Sequence, residues 1–515
     1  MGSLDEVFKA YDVRGTVPDQ LDEQVCRAIG AAFAAFAARA ATARGPAGRP
    51  GRQAGDATDE PAVRGVRLLV ARDMRASGVS LSRAFMAGAL AAGAEVCDLG
   101  LASTDLLYFA SGVLDAPGAM FTASHNPAGY NGIKFCLSGA RPVGQDTGLG
   151  EIKQAAAAIL AQEAGEPSGA AAGGDDAEIE AARKGGALTE ADMLDDYARH
   201  VRSFVEPGAL RPLKVVADTA NGMGGLVVPK VFEGLPFALT MLFAELDGTF
   251  PNHPADPIQE KNLADLKEAV LREHADVGLA FDGDADRVFL VDEKANPVSG
   301  SLTTALVAAA MIEKHPGATV LHNLICSKIV PETIVAHGGR AVRTRVGHSF
   351  IKEMMAETGA VFGGEHSGHY YFRDNYRADS GLIAAAVVLE VLSKAGVPLS
   401  ELLAPYRRYA ASGEVNTEVA DPGAVIEGLR ALFERPETAV KVDLLDGLSL
   451  DGGSWWCNIR PSNTEPLLRC NVEADTAQEC EAKTAELLGL VFSVDDEVRK
   501  ARSGSEGAPG SDEAR

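Results

Sequence analysis

Four short stretches of this chain combine residue types that chemistry can use. The first is Phe121-Thr-Ala-Ser-His-Asn-Pro127. Pro127 fixes its own φ and removes a backbone donor, and Asn126 before it is biased away from helix, so the loop is stiff. It presents one hydroxyl, Ser124, beside one imidazole, His125, which is how a chain holds a nucleophile or a phosphate carrier. A polar hairpin loop has the same composition, and this stretch alone does not separate the two.

The second stretch is Asp282-Gly-Asp-Ala-Asp-Arg287. Gly283 and Ala285 let the backbone wrap, so Asp282, Asp284 and Asp286 can converge on one hard cation. Oxygen-only ligands favour magnesium over zinc. A calcium EF-hand also spaces its acids by two and ends on Glu, here Glu293, but it needs Gly where this chain has Arg287 and helices where the flanks read as strands. A solvated acidic turn is the other competitor.

The third is Gly364-Glu-His-Ser-Gly-His369. Glu365 can accept from two neighbouring sugar hydroxyls, and Ser367 can both give and accept. His369 suits proton transfer near neutrality. A zinc reading through His366 and His369 lacks a third ligand at metal spacing, and a turn-stabilising loop remains open. The fourth, Arg460-Pro-Ser-Asn-Thr464, offers the Arg460 guanidinium, the Ser462 and Thr464 hydroxyls, the Asn463 amide and turn N–H groups, a set suited to a dianionic phosphate. Arg14, in Tyr11-Asp-Val-Arg-Gly15, is a phosphate fork or a solvated loop charge. His348 lies in a further polar loop, Val346-Gly-His-Ser349.

The elements that must position these loops are short strands alternating with helices. Val66–Ala71 and Gly118–Phe121 read as strands, the second feeding the serine loop, with Gly129-Tyr-Asn-Gly132 as the hairpin signal before the return strand at Ile133. Strands at 213–217, 276–281 and 288–291 frame the acidic loop, and strands at 318–321 and 341–344 precede the third loop. Alternation of this kind implies mixed or parallel α/β sheets. Three such units of similar length suggest a repeated architecture. The expected division is 1–190 with the serine loop, 191–297 with the acidic loop, 298–404 with the third loop, 405–497 with the Arg460 loop, and a disordered tail at 498–515. Low-complexity runs at about 44–64 and 161–186 read as surface insertions in the first unit.

A length of 515 residues is enough for several cores, and a formal net charge of −24 opposes DNA and anionic membrane faces while permitting a small phosphorylated ligand. Seven scattered Cys with no Cys-x-x-Cys pair fit a reducing compartment. The start, Met1-Gly-Ser-Leu-Asp-Glu6, lacks the basic and apolar regions of a secretory signal. Ala28–Ala43 is Ala-rich, flanked by Arg, and reads as a buried or amphipathic helix rather than a span. A cytoplasmic enzyme with no nucleic-acid or membrane partner is expected.

Together, in this order and one per unit, the four stretches resemble the signatures of the α-D-phosphohexomutase family, and within it the phosphomannomutase/phosphoglucomutase branch. The resemblance covers nearly the whole chain apart from the two low-complexity runs and the tail. It implies three similar α/β domains with mixed sheets and a smaller α+β C-terminal domain around a central cleft. It implies an isomerase acting on small hexose phosphates of mannose or glucose, as a monomer or dimer. Ser124 would be the phosphoserine, donating to a hexose monophosphate and recovering a phosphate from a hexose 1,6-bisphosphate, which also serves as activator. Mg2+ would be held by Ser124, Asp282, Asp284 and Asp286. Arg14, His125, Lys134 and His369 would be catalytic, with Lys134 and His369 as the base and acid; Lys134 would act as base through a pKa depressed by neighbouring cations. Tyr11, Arg287, His348, Glu365, Ser367, His369, Arg460, Ser462, Asn463 and Thr464 would bind substrate.

One position departs from the pattern. Relatives of this branch often carry Lys shortly before the Cys of Asn323-Leu-Ile-Cys-Ser-Lys328, where this chain has Ile325. Asn463 and Ala285 count against a phosphoglucosamine mutase of the same fold. A metal-dependent phosphatase, hydrolysing the Ser124 ester, is the alternative from another class.

Overall fold

The computed structural model describes residues 4–44, 63, 65–164, 174–435, 439–461 and 467–505. Ser462, Asn463 and Thr464, and nearly all of the run at 44–64, lie outside the described residues.

Four sheets follow one another along the chain. The first runs, in spatial order, through Val13–Thr16, Tyr130–Leu137, Gly118–Phe121, Arg67–Arg72, Glu95–Leu101 and Leu188–Glu190, with Arg141–Pro142 paired to the second of these. The inner strands Arg67–Arg72, Glu95–Leu101 and Gly118–Phe121 pair in parallel, while Tyr130–Leu137 runs antiparallel to both of its neighbours, so the sheet is mixed. The second sheet orders Pro297–Val298, Val288–Asp292, Val277–Phe281, Leu213–Asp218 and Phe237–Leu242. The third orders Arg340–Thr344, Thr319–Asn323, Phe362–Gly364 and Tyr370–Phe372. The fourth, wholly antiparallel, orders Ala410–Glu418, Leu467–Ala474, Trp455–Pro461, Leu448–Asp451 and Lys441–Asp443. Three α/β domains with mixed sheets and a smaller α+β domain are therefore present.

The Ala-rich segment forms the helix Glu23–Arg44, long and apolar enough to cross a membrane by composition, with 61% of that stretch buried inside the protein. Its small residues serve packing. It lies on the helix Ser77–Ala91 with the backbones almost in contact: a Cβ on Gly30 would meet Phe85 O at 2.0 Å, and one on Gly88 would meet Arg27 O at 2.0 Å. Phe33, Phe85, Phe121 and Phe135 fill the core beneath these helices. Alanine and glycine thus allow close approach, and the phenylalanines supply the buried apolar area that drives it.

Three expectations are corrected. The Asn131-Gly132 pair is not the hairpin turn. Both residues sit inside the strand Tyr130–Leu137, and the serine loop itself makes the turn. Gly132 is required by crowding between strands, since a Cβ there would meet Val13 O at 2.2 Å. The run at 161–186 is not a plain loop insertion. It contains the end of the helix Leu149–Ala164 and the helix Gly174–Gly185, which docks through buried Ile179 and through ion pairs of Arg27 with Asp175 and Glu178. The last helix, Ala477–Ser505, continues through residues 498–505, expected as tail. In both segments tertiary packing and helix propagation outweigh a composition typical of disorder.

Candidate active site

Ser124 stands at φ 49°, a left-handed conformation that a non-glycine residue adopts only under constraint. The constraint is Arg75, 1% exposed. Its Nη2 donates to the carbonyls of Ser124 (2.9 Å) and Asn126 (2.7 Å), and its Nη1 to those of Pro127 (2.8 Å) and Tyr130 (3.0 Å). Its Nε donates to Asp73 Oδ2 at 3.2 Å. One guanidinium therefore holds the whole loop from behind. Asp73 is fully buried; burial pushes its carboxyl up to about 6 although Arg75 opposes the shift.

The serine hydroxyl faces the acidic loop. Ser124 Oγ donates to Asp282 Oδ2 at 2.7 Å and accepts from Arg287 Nη2 at 2.8 Å. The loops touch through backbone as well, because a Cβ on Gly283 would lie 2.4 Å from Ser124 O. His125 Nδ1 is 3.3 Å from Ser124 Oγ and also meets Arg287. The Arg287 charge, then burial, lowers the His125 pKa well below its usual range, so this imidazole is neutral.

Asp282, Asp284 and Asp286 are all buried, and their ligand atoms lie within 4.8 Å of one another. Lys134 Nζ donates to Asp284 Oδ2 at 2.7 Å and Asp286 Oδ2 at 2.6 Å, and Thr104 Oγ1 donates to Asp284 Oδ2 at 2.6 Å. The Oδ1 atoms of Asp284 and Asp286 are buried with no hydrogen-bond partner among the described residues. Burial and the neighbouring carboxylates raise the Asp282 pKa. Lys134 and Arg287 supply two positive charges against three negative ones. The charge deficit, the orphaned oxygens and the hard oxygen donors fit one divalent cation of the magnesium type.

The expected depression of the Lys134 pKa is not found. Burial alone would lower it, but Asp284 and Asp286 outweigh burial, and the pKa rises well above the usual lysine value. Its neighbours are carboxylates, not cations.

Arg14 reaches the serine loop, donating through Nη1 to Asn126 Oδ1 at 2.7 Å and pairing with Asp12. Tyr11 joins the first domain to the third: its hydroxyl donates to Val346 O at 3.3 Å, and its ring meets His348 edge-on at 5.3 Å. Burial, with Lys352 nearby, pushes His348 down to about 3. His369 lies beside the acidic loop, with Nε2 3.8 Å from Asp286 Oδ1 and Nδ1 3.0 Å from Ser367 Oγ. Glu365 is buried and already accepts from Asn323 Nδ2 (3.1 Å), Gly347 N (3.1 Å) and the Tyr371 hydroxyl (2.7 Å). A carboxylate accepts about four such bonds, so little capacity is left for sugar hydroxyls unless one of these donors moves.

Arg460 sits on the fourth domain with Nη2 donating to Glu414 Oε2 at 3.0 Å. Ile325 is buried, and Lys328 turns from the cleft to the fourth domain, its Nζ 3.5 Å from Asp451 Oδ1 and its backbone N–H donating to Glu473 Oε1 at 2.9 Å.

Several supporting residues escaped the sequence reading. Arg75 and Asp73 follow the C-terminal end of a parallel strand, where such folds build their sites, and that position was the available signal. Thr104 opens the helix Thr104–Leu114, at the far end of the adjacent parallel strand. The buried ion pair of Lys352 with Asp379 (2.9 Å), beneath the Tyr108 ring and near His369, left no trace in spacing.

The chain matches four family models in order: phosphoglucomutase/phosphomannomutase alpha/beta/alpha domain I over residues 47–163, domain II over 195–296, domain III over 299–409, and the C-terminal domain over 414–489. It is 37% identical over 489 residues to the phosphohexose mutases protein of Xanthomonas campestris pv. campestris (strain B100), covering 94% of this chain and 98% of that one. It is 35% identical over 494 residues to the phosphomannomutase of Salmonella montevideo, covering 94% and 99%. A solved phosphoglucomutase/phosphomannomutase family protein from Burkholderia thailandensis superposes with a TM-score of 0.79 at 29% identity, covering 96% of this chain and 98% of that chain. A serine held by one arginine against three buried carboxylates, on four domains matched in order, places this chain in the phosphoglucomutase/phosphomannomutase family of enzymes.

Proposed function

We propose that this enzyme interconverts the 1- and 6-phosphates of mannose or glucose, through a phosphoserine at Ser124 and a hexose 1,6-bisphosphate. The observation that carries the reading is the setting of Ser124 Oγ, bonded at once to Asp282 and Arg287 and backed by three carboxylates, two of which, Asp284 and Asp286, each keep one oxygen with no partner among the described residues.

In the forward half-reaction a free sugar hydroxyl attacks the phosphorus carried on Ser124. The new sugar O–P bond forms as the Oγ–P bond breaks, and the sugar proton must leave. His369, on the third domain beside Asp286, is the acceptor we assign to that proton. Lys134 stays charged in its carboxylate nest, where it adds positive field at the transferring group and is the donor we assign to the departing Ser124 oxygen. Arg287 and Arg14 neutralise the phosphoryl oxygens from either side of the loop. Asp282, Asp284, Asp286 and the serine phosphate would hold Mg2+, which when bound would supply the remaining positive charge. Arg460, with Ser462, Asn463 and Thr464, holds the phosphate that is not reacting. Tyr11, His348, Ser367 and, after a donor moves, Glu365 contact the sugar.

The test is a coupled assay with mannose 1-phosphate and glucose 1-phosphate, run with Mg2+, with and without glucose 1,6-bisphosphate. Isomerisation that needs the bisphosphate, stops on chelation and disappears in Ser124→Ala with unchanged thermal melting is the expected result. Inorganic phosphate released without isomerisation would show that the same site hydrolyses its ester.

A further inference from the structure

The sheet of the fourth domain carries an arrangement that the proposed function does not use. Arg460 and Arg469 are direct cross-strand partners on Trp455–Pro461 and Leu467–Ala474. Ile459 and Cys470 beside them point into the core, so the two arginines share the opposite, open face. Like charges directly opposite each other repel. Glu414, on the neighbouring strand Ala410–Glu418, resolves the conflict. Its Oε2 accepts from Arg460 Nη2 at 3.0 Å and its Oε1 from Arg469 Nη1 at 3.2 Å. A register break between Ala411 and Glu414, with Gly413 at φ 70°, sets the carboxylate onto this face.

The compensation is incomplete. Among the described residues, two guanidinium groups stand against one carboxylate, which leaves a net positive charge. The Nε atoms of both arginines are buried with no hydrogen-bond partner among the described residues, although Arg460 is only 8% exposed. A buried N–H on a charged group is expensive to leave unpaired, and two such atoms side by side call for an acceptor with several oxygens. The charges of Glu414 and Arg460 both reach His366 of the third loop.

We propose that Arg469 is a second arginine for the phosphate group that Arg460 receives, and that Glu414 is the internal anion which this phosphate displaces from both. The inference rests on the phosphate reading of Arg460. With the site empty, Glu414 keeps two like charges together and their side chains ordered. A dianionic phosphate offers more charge and more acceptor atoms than the single carboxylate, so it takes over both guanidinium groups and Glu414 turns aside.

Two substitutions should move affinity in opposite directions. Arg469→Gln should raise the KM for mannose 1-phosphate about tenfold, the loss of one charge-assisted hydrogen bond, with kcat changed less than about twofold. Arg469→Lys should fall between that variant and the parent, because it keeps the charge and loses the fork. Glu414→Gln should lower KM, since it removes the competing anion. Direct calorimetric titration of mannose 1-phosphate in the Ser124→Ala background should show the same order without depending on turnover. Arg460→Gln separates the two levels of the argument. If it raises KM while Arg469→Gln leaves KM unchanged, this inference falls and the reading of Arg460 stands. If neither variant changes KM, the phosphate reading of the whole face falls. A rise in KM for Glu414→Gln at unchanged melting temperature would show that the carboxylate orients the arginines for substrate, and would overturn the displacement.

Discussion

Arg75→Met tests whether the serine loop is held from behind. The substitution keeps most of the apolar volume and deletes four hydrogen bonds to the carbonyls of Ser124, Asn126, Pro127 and Tyr130, together with the ion pair to Asp73. Removing one member of a buried ion pair costs about 3–5 kcal/mol, because the other is left uncompensated. In a domain of this size that is a fall of about 6–20 °C in the melting of the first domain. The penalty has a pH signature. Burial already holds the Asp73 pKa at about 6 with Arg75 lowering it, so without Arg75 it rises further. The lone carboxyl is then neutral in acid, and the variant loses less stability at pH 5 than at pH 8. Adding Asp73→Asn should recover part of the loss at pH 8. The effect on chemistry is separate. Ser124 at φ 49° stores about 1–3 kcal/mol of backbone strain, and release of the loop lowers the population of the reactive geometry by roughly 5- to 150-fold. Scanning calorimetry at both pH values and kcat measured well below the melting range are the assays. Melting unchanged within about 1 °C and kcat within about twofold would refute the argument that Arg75 holds the loop.

Asp105 gives a second pH test: it is buried, accepts from Ser103, Ser380 and Tyr197, and burial pushes its pKa up to about 7. Because the folded pKa lies above the unfolded one, this group's stabilising contribution is complete below about pH 4 and is lost as pH rises toward 7, a fall on the order of 4 kcal/mol; Asp105→Asn should flatten that slope in melting temperatures measured from pH 4 to pH 8. Gly283→Ala should push the acidic loop off Ser124, since the added Cβ meets Ser124 O at 2.4 Å. Overpacking of this kind costs about 1–3 kcal/mol. We expect weaker Mg2+ binding by calorimetric titration and a kcat lowered in step; unaltered Mg2+ affinity would show that the two loops separate without consequence.

The serine, acidic and third loops were legible because their chemistry is compact in sequence; the loop after Arg460 lies outside the described residues. Each function needs several polar groups within a few residues, and Gly, Pro and Ala between them leave few alternative shapes. The strands and helices that frame them also follow from local alternation, and most lie within a residue or two of where the sequence puts them. The hairpin at Asn131-Gly132 misled for a definite reason: the pair marks turns when a chain is read alone, but here crowding against Val13 demanded the glycine. The helix Gly174–Gly185 was hidden because its stability comes from docking, through Ile179 and the Arg27 ion pairs, and not from its own polar composition.

The sequence by itself determined which residue types reach the site and in what order. It named the serine, the three carboxylates, the imidazoles and the arginine, because local backbone chemistry gathers each group within one loop. Only the tertiary structure decided the electrical state and the grip of those groups. Lys134 is charged because Asp284 and Asp286, distant in sequence, close on it; Ser124 is held because Arg75 reaches four carbonyls at once; and Arg460 meets Glu414 and Arg469 only when three strands align. Burial and long-range contact set these properties. Desolvation and Coulomb forces depend on distance in space, which spacing along the chain does not report.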